Sequence, residues 1–179
     1  MLKNKYNDSI IRELQDELNI TNVLGIPKIT KISVNVGVGE VVHDNKIMDY
    51  VISDLTKIVG QRVLVTKARN SIAGFKIRKG MLIGCKVDLR RCKMYEFMER
   101  LMYFALPAER DFRGLSPKQF DGLGNYNFGI KEHIVFKEIN YDSVYKIFGM
   151  DISIVTSTSN DKHAKLLLNK IGFPFNEGL

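Results

Sequence analysis

The sequence lacks the features that would assign it to a membrane, to the secretory pathway or to a metal site. Its longest uninterrupted apolar run, residues 101–106, is far too short to cross a bilayer. The start carries no basic region followed by an apolar stretch and a small-residue cleavage site, so we expect no secretory signal. Cys85 and Cys92 have no partner pair at zinc spacing, so we expect a reducing intracellular compartment and no metal.

Motifs for catalysis and nucleotide binding are also missing. Gly37-Val38-Gly39 resembles the start of a dinucleotide-binding turn, but the third glycine of that fingerprint would fall on Val42. Glu40 would also repel a pyrophosphate, so we interpret the glycines as a tight turn and keep a nucleotide-dependent enzyme as the alternative. The histidines lie far apart without a nucleophile motif, and we expect surface or turn positions for them: His43, His133 and His163. We therefore predict no enzymatic activity and no cofactor.

The periodicity of apolar residues predicts elements in the order α-β-α-β-β-α-β-β-α. Strands are predicted at 32–38, 62–66, 83–91, 126–130 and 150–158, and helices at 3–19, 44–59, 93–106 and from 160 or 161 onward. Asp44 is a candidate N-cap and Gly60 a candidate C-terminal glycine of the second helix. We expect one domain, residues 1–179, with an α+β fold: an antiparallel sheet with helices packed on one face and an open polar face, similar to ferredoxin-like and RRM sandwiches.

Positive charge is concentrated in residues 66–91, which hold eight basic residues and one acid, Asp88. Their net charge of +7 equals that of the whole chain. The middle of this stretch has neither a strand nor a helix period, which predicts a long exposed loop between two strands, residues 68–81, called the basic arm below. Such a loop favours a polyanionic partner. The alternatives are a solvated hairpin that serves solubility and a membrane-surface site, although the latter requires an amphipathic basic helix.

The polar face of the predicted sheet offers hydrogen-bond donors and charge on adjacent strands. Ser33, Asn35 and Gly37 alternate with apolar residues on one strand, and Lys86 and Arg90 do so on another, where Cys85 faces the core. No aromatic side chains stand there to stack bases in the manner of an RRM. The pattern therefore predicts recognition of duplex or structured RNA by shape and backbone.

Motifs spread in order over nearly the whole chain resemble one family. They are VNVGVGE at 34–40, GQ at 60–61, TKAR at 66–69, AGFKIRKG at 73–80, IGCKVDLR at 83–90, RDFRG at 110–114, FDGLGNYNFGIKE at 120–132 and GMDISIVT at 149–156. With these motifs the chain closely resembles the bacterial-type large-subunit ribosomal protein five, which binds 5S rRNA. The resemblance implies a structural role in translation: anchoring 5S rRNA in the central protuberance, contacting P-site tRNA and bridging to small-subunit ribosomal protein thirteen.

The resemblance also implies partners and sites. It implies contacts with 23S rRNA and with other proteins of the central protuberance, on a cytoplasmic or organellar ribosome, and no membrane. It places 5S rRNA contacts on Asn35 and Gln61 and the tRNA-contacting loop on the basic arm. Together with the nearby donors and cations, the predicted rRNA-binding residues are Ser33, Asn35, Gln61, Lys67, Arg69, Lys86 and Arg90. The predicted tRNA-contacting residues are Ser71, Gly74, Phe75, Lys76, Arg78 and Lys79.

Asp88 departs from the family, which usually has Thr at this position. A carboxylate that faces RNA is unfavourable unless a neighbouring cation neutralises it. Lys86 and Arg90 are the candidate cations. If neither one neutralises it, one RNA contact is weakened.

Overall fold

An antiparallel sheet forms the centre of the structure, a computed structural model that describes residues 2–39, 46–110 and 112–176. Its strands are β1 (Ile29–Gly37), β2 (Leu64–Lys67), β3 (Leu82–Leu89), β4 (Tyr126–Ile130) and β5 (Met150–Thr156). Their order across the sheet is β2-β3-β1-β5-β4, and each neighbouring pair runs antiparallel. The predicted α+β fold is confirmed, and the five predicted strands all form.

The helices pack against one face of this sheet. They are α1 (residues 2–18, which includes a π-helical turn at Tyr6–Ile10), α2 (Lys46–Val59), α3 (residues 91–108, with a π-helical turn at Leu101–Ala105) and α4 (Asp161–Ile171). Gly60 adopts a φ of 66° directly after α2, as expected of a C-terminal glycine. The side chain of Asn160 accepts a hydrogen bond from the Lys162 N–H and caps α4. The predicted cap Asp44 lies outside the described residues.

Strict alternation along the strands separates a buried face from an open one. Ile32, Val34 and Val36 of β1 are fully buried beneath the helices. Cys85 of β3 is buried beside them, and burial raises its thiol pKa to about 11, so it is the core residue that the sequence predicted. The residues between these positions project from the opposite face, against which no helix of the described residues packs.

His133 corrects one prediction. It was expected at the surface or in a turn. It does lie in a 3₁₀ turn, but its side chain is fully buried between the connection from β4 to β5 and helix α2. Its ring stacks on Phe148 with centroids 3.8 Å apart, and its Nδ1 accepts a hydrogen bond from the Phe148 N–H. Burial lowers the pKa of His133, and the nearby Asp54 carboxylate, 3.8 Å from Nε2, opposes that shift. The histidine therefore holds together the two ends of the connection between β4 and β5.

The glycines at the end of β1 continue the strand. Gly37 pairs with Gly84 of β3, and the Val38 N–H donates to the Ile83 carbonyl at 2.9 Å. The predicted tight turn is therefore wrong for Gly37 and Val38, because the β1–β3 ladder extends through them. A Cβ atom added to Gly84 would collide with the carbonyl oxygen of Val36.

Replacing Gly84 with Ala should destabilise the fold, because the strand backbones would have to move apart at this point. We expect a loss of about 1–3 kcal/mol in the free energy of unfolding, measured by denaturant titration. Gly74→Ala is the matched control, since an added Cβ there meets nothing within 4 Å. Equal stability of the two variants would contradict the close approach of β1 and β3.

Candidate nucleic-acid interface

The open face brings together polar side chains from neighbouring strands. Asn35 of β1 lies opposite Lys86 of β3, and Ser33 lies opposite Asp88. On its other side, Asn35 lies opposite Asp151 of β5. Asn35, Lys86 and Asp151 are exposed. The structure therefore places the predicted residues Ser33, Asn35 and Lys86 side by side on a flat, solvent-exposed surface.

Asp88 is held by the predicted residue Ser33 and by Lys31, which the sequence did not indicate. Its Oδ1 accepts a hydrogen bond from the Ser33 hydroxyl at 2.7 Å, and its Oδ2 lies 3.0 Å from the Lys31 ammonium. The hydrogen bond from Ser33 lowers the pKa of Asp88 most, burial opposes the shift, and Lys31 and Lys86 lower it further. Lys31, and not Arg90, is the ion-pair partner of Asp88, so the carboxylate is compensated within the face.

The remaining predicted rRNA-binding residues surround the face. Gln61 follows α2, and its Nε2 approaches the Asp88 carbonyl oxygen at 3.5 Å. Arg90 is exposed one residue beyond β3, where the chain turns into α3. Lys67 ends β2, and Arg69 lies exposed at the base of the basic arm. These residues form a partly cationic rim along the β2–β3 side of the face.

The basic arm is a hairpin with its own backbone hydrogen bonds. At its base the Ala68 N–H donates to the Met81 carbonyl at 2.8 Å. Farther out, Ile72 and Ile77 exchange two hydrogen bonds, and the tip is a 3₁₀ turn at Ala73–Phe75. The sequence predicted a loop here because the apolar residues of this hairpin do not recur at the spacing of a strand or a helix. The arm is therefore a hydrogen-bonded hairpin that continues from β2 and β3.

The predicted tRNA-contacting residues occupy the outer part of this hairpin. Phe75 is 71% exposed at the tip, and Lys76 follows it with a φ of 55°. The Ser71 hydroxyl accepts a hydrogen bond from the Lys79 N–H at 2.9 Å, which links the two sides of the hairpin. Gly74 lies within the 3₁₀ turn, and Arg78 is exposed. The structure thus gathers all six residues on one protruding element, separate from the open face.

The open face and the arm differ in charge. On the described part of the face, Lys31 and Lys86 are balanced by Asp88 and Asp151. The arm, residues 68–81, contains Arg69, Lys76, Arg78 and Lys79 and no acid. The face is therefore suited to shape and hydrogen-bond recognition, and the arm to phosphate attraction.

Sequence reasoning left several residues of the face unassigned, among them Lys31, Leu64 and Asp151. Lys31 and Asp151 carry the same alternation signal as Ser33 and Ser153, two residues away on their strands. Leu64 is an apolar residue, 61% exposed, opposite Lys86. Its strand, β2, is too short for an alternation of apolar and polar residues to predict which face of the sheet Leu64 lies on.

Comparison with known proteins identifies the family. The family model "Ribosomal protein L5" matches residues 22–78, and a second model, which describes the C-terminus of the same ribosomal protein family, matches residues 82–175. The chain belongs to the ribosomal protein L5 family. Relatives named large ribosomal subunit protein uL5 occur in Wolbachia sp. subsp. Brugia malayi (57% identity, 98% of this chain and 99% of the relative) and in Dichelobacter nodosus (54% identity, 97% of both chains). A third, from Wolbachia of Culex pipiens, is 55% identical over 98% of both chains.

Membership of the L5 family makes the protein a structural constituent of the large ribosomal subunit with ribosomal RNA and ribosomal proteins as partners. The bacterial relatives place it on cytoplasmic ribosomes. The family is not enzymatic, so the alternative of a nucleotide-dependent enzyme is wrong. The membrane-surface alternative required a basic helix, and the arm is a hairpin instead.

The described residues hold neither a membrane-spanning helix nor a cluster of metal ligands. No helix within 2–39, 46–110 or 112–176 is both long and apolar enough to span a bilayer. In the same ranges, no three side chains of His, Cys, Asp or Glu converge as metal ligands do.

The Asp88 interactions predict a pH dependence of stability. Because the pKa of Asp88 is lower in the folded state than the ordinary value of about 3.9, the interactions stabilise the fold above that pH and are lost as pH falls through the folded-state pKa. Asp88→Asn should therefore cost about 1 kcal/mol or less at pH 7, since an exposed pair is screened, and the cost should shrink below about pH 4.

Denaturant titrations of the wild-type protein and the Asp88→Asn variant between about pH 2.5 and pH 7 measure this difference. Ser33→Ala, which removes the hydrogen bond that lowers the pKa most, should reduce the pH-dependent part. A stability difference between wild type and Asp88→Asn that stays constant over the whole range would show that the carboxyl group titrates alike in the folded and unfolded states.

Proposed function

We propose that the protein binds 5S rRNA through its open face and anchors it in the central protuberance of the large subunit. In this proposal the basic arm contacts P-site tRNA, and the protein forms a bridge to small-subunit ribosomal protein thirteen. It also contacts 23S rRNA and neighbouring proteins of the central protuberance. Residues 1–179 act as a single rRNA-binding domain, which is supported by one core cluster that extends from Leu2 to Phe173.

The observation that carries the 5S rRNA assignment is the uncovered polar face with Asn35 at its centre. Asn35 lies on β1, the middle strand, with Lys86 and Asp151 on its two sides. An amide can both donate and accept hydrogen bonds, and a flat face can lie against a helical groove. Ser33 is fixed beside it by its hydrogen bond to the Asp88 carboxylate, and the Gln61 amide lies 3.5 Å from the Asp88 carbonyl oxygen. Preorganised polar groups of this kind favour one structured RNA over others.

The tRNA assignment is supported by the shape and charge of the arm. Its hairpin projects an exposed phenylalanine and three cations, Lys76, Arg78 and Lys79, without an acid. Cations on a rigid projection can approach phosphates at a distance from the sheet. An exposed aromatic ring offers a surface for a ribose or base. The arm can therefore contact a second RNA while the open face holds the first.

Binding of 5S rRNA should be selective and should weaken with salt. A gel-shift titration against an unrelated structured RNA of equal length, at two salt concentrations, should show a preference for 5S rRNA that survives moderate salt. Lys86→Ala should weaken 5S rRNA binding and reduce the slope of log K against log[salt] by about 0.7–0.9, because one phosphate contact is lost. Lys162→Ala, on the exposed surface of α4, is the control with the same charge change. Equal affinity for both RNAs, or a complex insensitive to salt, would contradict the proposal.

The arm and the face should be separable by mutation. Lys76→Ala, Arg78→Ala and Lys79→Ala combined should leave the fold and most 5S rRNA affinity intact, because these side chains lie beyond the open face. On assembled ribosomes the same variant should bind P-site tRNA more weakly, measured by filter binding. If the variant lost 5S rRNA binding and kept tRNA binding, the arm and not the open face would be the site of 5S rRNA binding.

A further inference from the structure

A row of residues across the open face runs from a cation to a carboxylate. The strand register places Lys86, Asn35, Asp151 and Gly129 in line on β3, β1, β5 and β4. Neighbouring strands lie about 4.8 Å apart, so the backbone positions of Lys86 and Asp151 are separated by about 10 Å, with the Asn35 amide between them. The electrostatic character of the face therefore changes within the width of a nucleic-acid groove.

The two carboxylates of the face are not equivalent. Asp88 is compensated by Lys31 and Ser33. Asp151 is exposed and, within residues 2–39, 46–110 and 112–176, its side chain forms neither an ion pair nor a hydrogen bond. Asp151 is therefore the uncompensated negative charge of the described face.

The neighbouring strand leaves this carboxylate accessible. The residue opposite Asp151 on β4 is Gly129, and a Cβ atom added there would lie 3.6 Å from the Asp151 Oδ1. Without a side chain at position 129, a partner can reach the carboxylate from above and from the β4 side. An ionised carboxylate only accepts hydrogen bonds, so a suitable partner must carry donors.

We propose that Asp151 is a specificity-determining residue for RNA on the open face, an inference that depends on the proposed binding of 5S rRNA there. Its charge repels the phosphate backbone from the β5–β4 half of the face. Its oxygens accept hydrogen bonds from donors in the RNA minor groove, which are 2′-hydroxyls and base amino groups. Phosphates are thereby directed to the side of Lys86 and groove donors to the side of Asp151, which fixes the orientation of the RNA.

Asp151→Asn tests this role, and Glu96→Gln, on the exposed surface of α3, is a control with the same charge change away from the face. Affinities for 5S rRNA and for an unrelated structured RNA are measured by gel shift. Asp151→Asn should tighten binding of the unrelated RNA and weaken binding of 5S rRNA, so that the ratio of the two affinities falls about tenfold. Glu96→Gln should change both affinities alike.

Gly129→Val is a second variant that covers the carboxylate without changing the charge. It should weaken binding of 5S rRNA without strengthening binding of the unrelated RNA. The donor itself can be located by interference mapping with 5S rRNA transcripts that contain either 2′-deoxynucleotides or inosine in place of guanosine. The comparison variant is Asp151→Ala, which removes both acceptor oxygens, since an asparagine amide would retain one. Interference that occurs with the wild-type protein and disappears with Asp151→Ala identifies a 2′-hydroxyl in the deoxynucleotide transcripts and a base amino group in the inosine transcripts.

The outcomes separate this inference from the function on which it rests. If the wild-type protein does not prefer 5S rRNA, the proposed function fails. If the wild-type protein prefers 5S rRNA, and Asp151→Ala retains the preference and all interference sites, the role of Asp151 is refuted while the proposed function stands.

Discussion

The antiparallel pairing of β1 with β3 on one side and β5 on the other determines which side chains the protein presents to its partners. This pairing sets Asn35 between Lys86 and Asp151, and Ser33 beside Asp88. A shift of one residue in either register would turn these side chains into the core and expose Val34 and Val36. The burial of the apolar face therefore also fixes the geometry of the polar face, and folding and recognition depend on the same register.

Charge and shape are divided between two parts of the molecule. The open face is close to neutral in its described residues, whereas the arm is uniformly cationic. Phosphate attraction is strong and indifferent to sequence, and hydrogen bonding to a groove is weaker but selective. Separating the two allows the face to discriminate among RNAs without the general attraction that a cationic sheet would exert. The cations Lys76, Arg78 and Lys79 lie in the outer part of the arm, which is closed as a hairpin by the hydrogen bonds between Ile72 and Ile77.

The sequence was sufficient to predict what depends on local periodicity. Alternation in residues 32–38 and 83–91 predicted both the strands and the open face, and the glycine at position 60 marked the end of α2. Features that depend on long-range pairing were not predictable. The contact of Lys31 with Asp88 requires the β1–β3 register, and the burial of His133 requires the β4–β5 connection to fold against α2. The pairing within the arm was missed because its residues carry no apolar period.

The most direct test of the central claim is directed hydroxyl-radical probing of 5S rRNA from the two sides of the molecule. An iron chelate is attached to Asn127→Cys on the open face or to Glu96→Cys on α3, each with the exposed Cys92 changed to Ser and the buried Cys85 retained. We predict localised cleavage of 5S rRNA from position 127 and none from position 96. Cleavage from position 96 without cleavage from position 127 would show that the helical side contacts the RNA and would contradict the account.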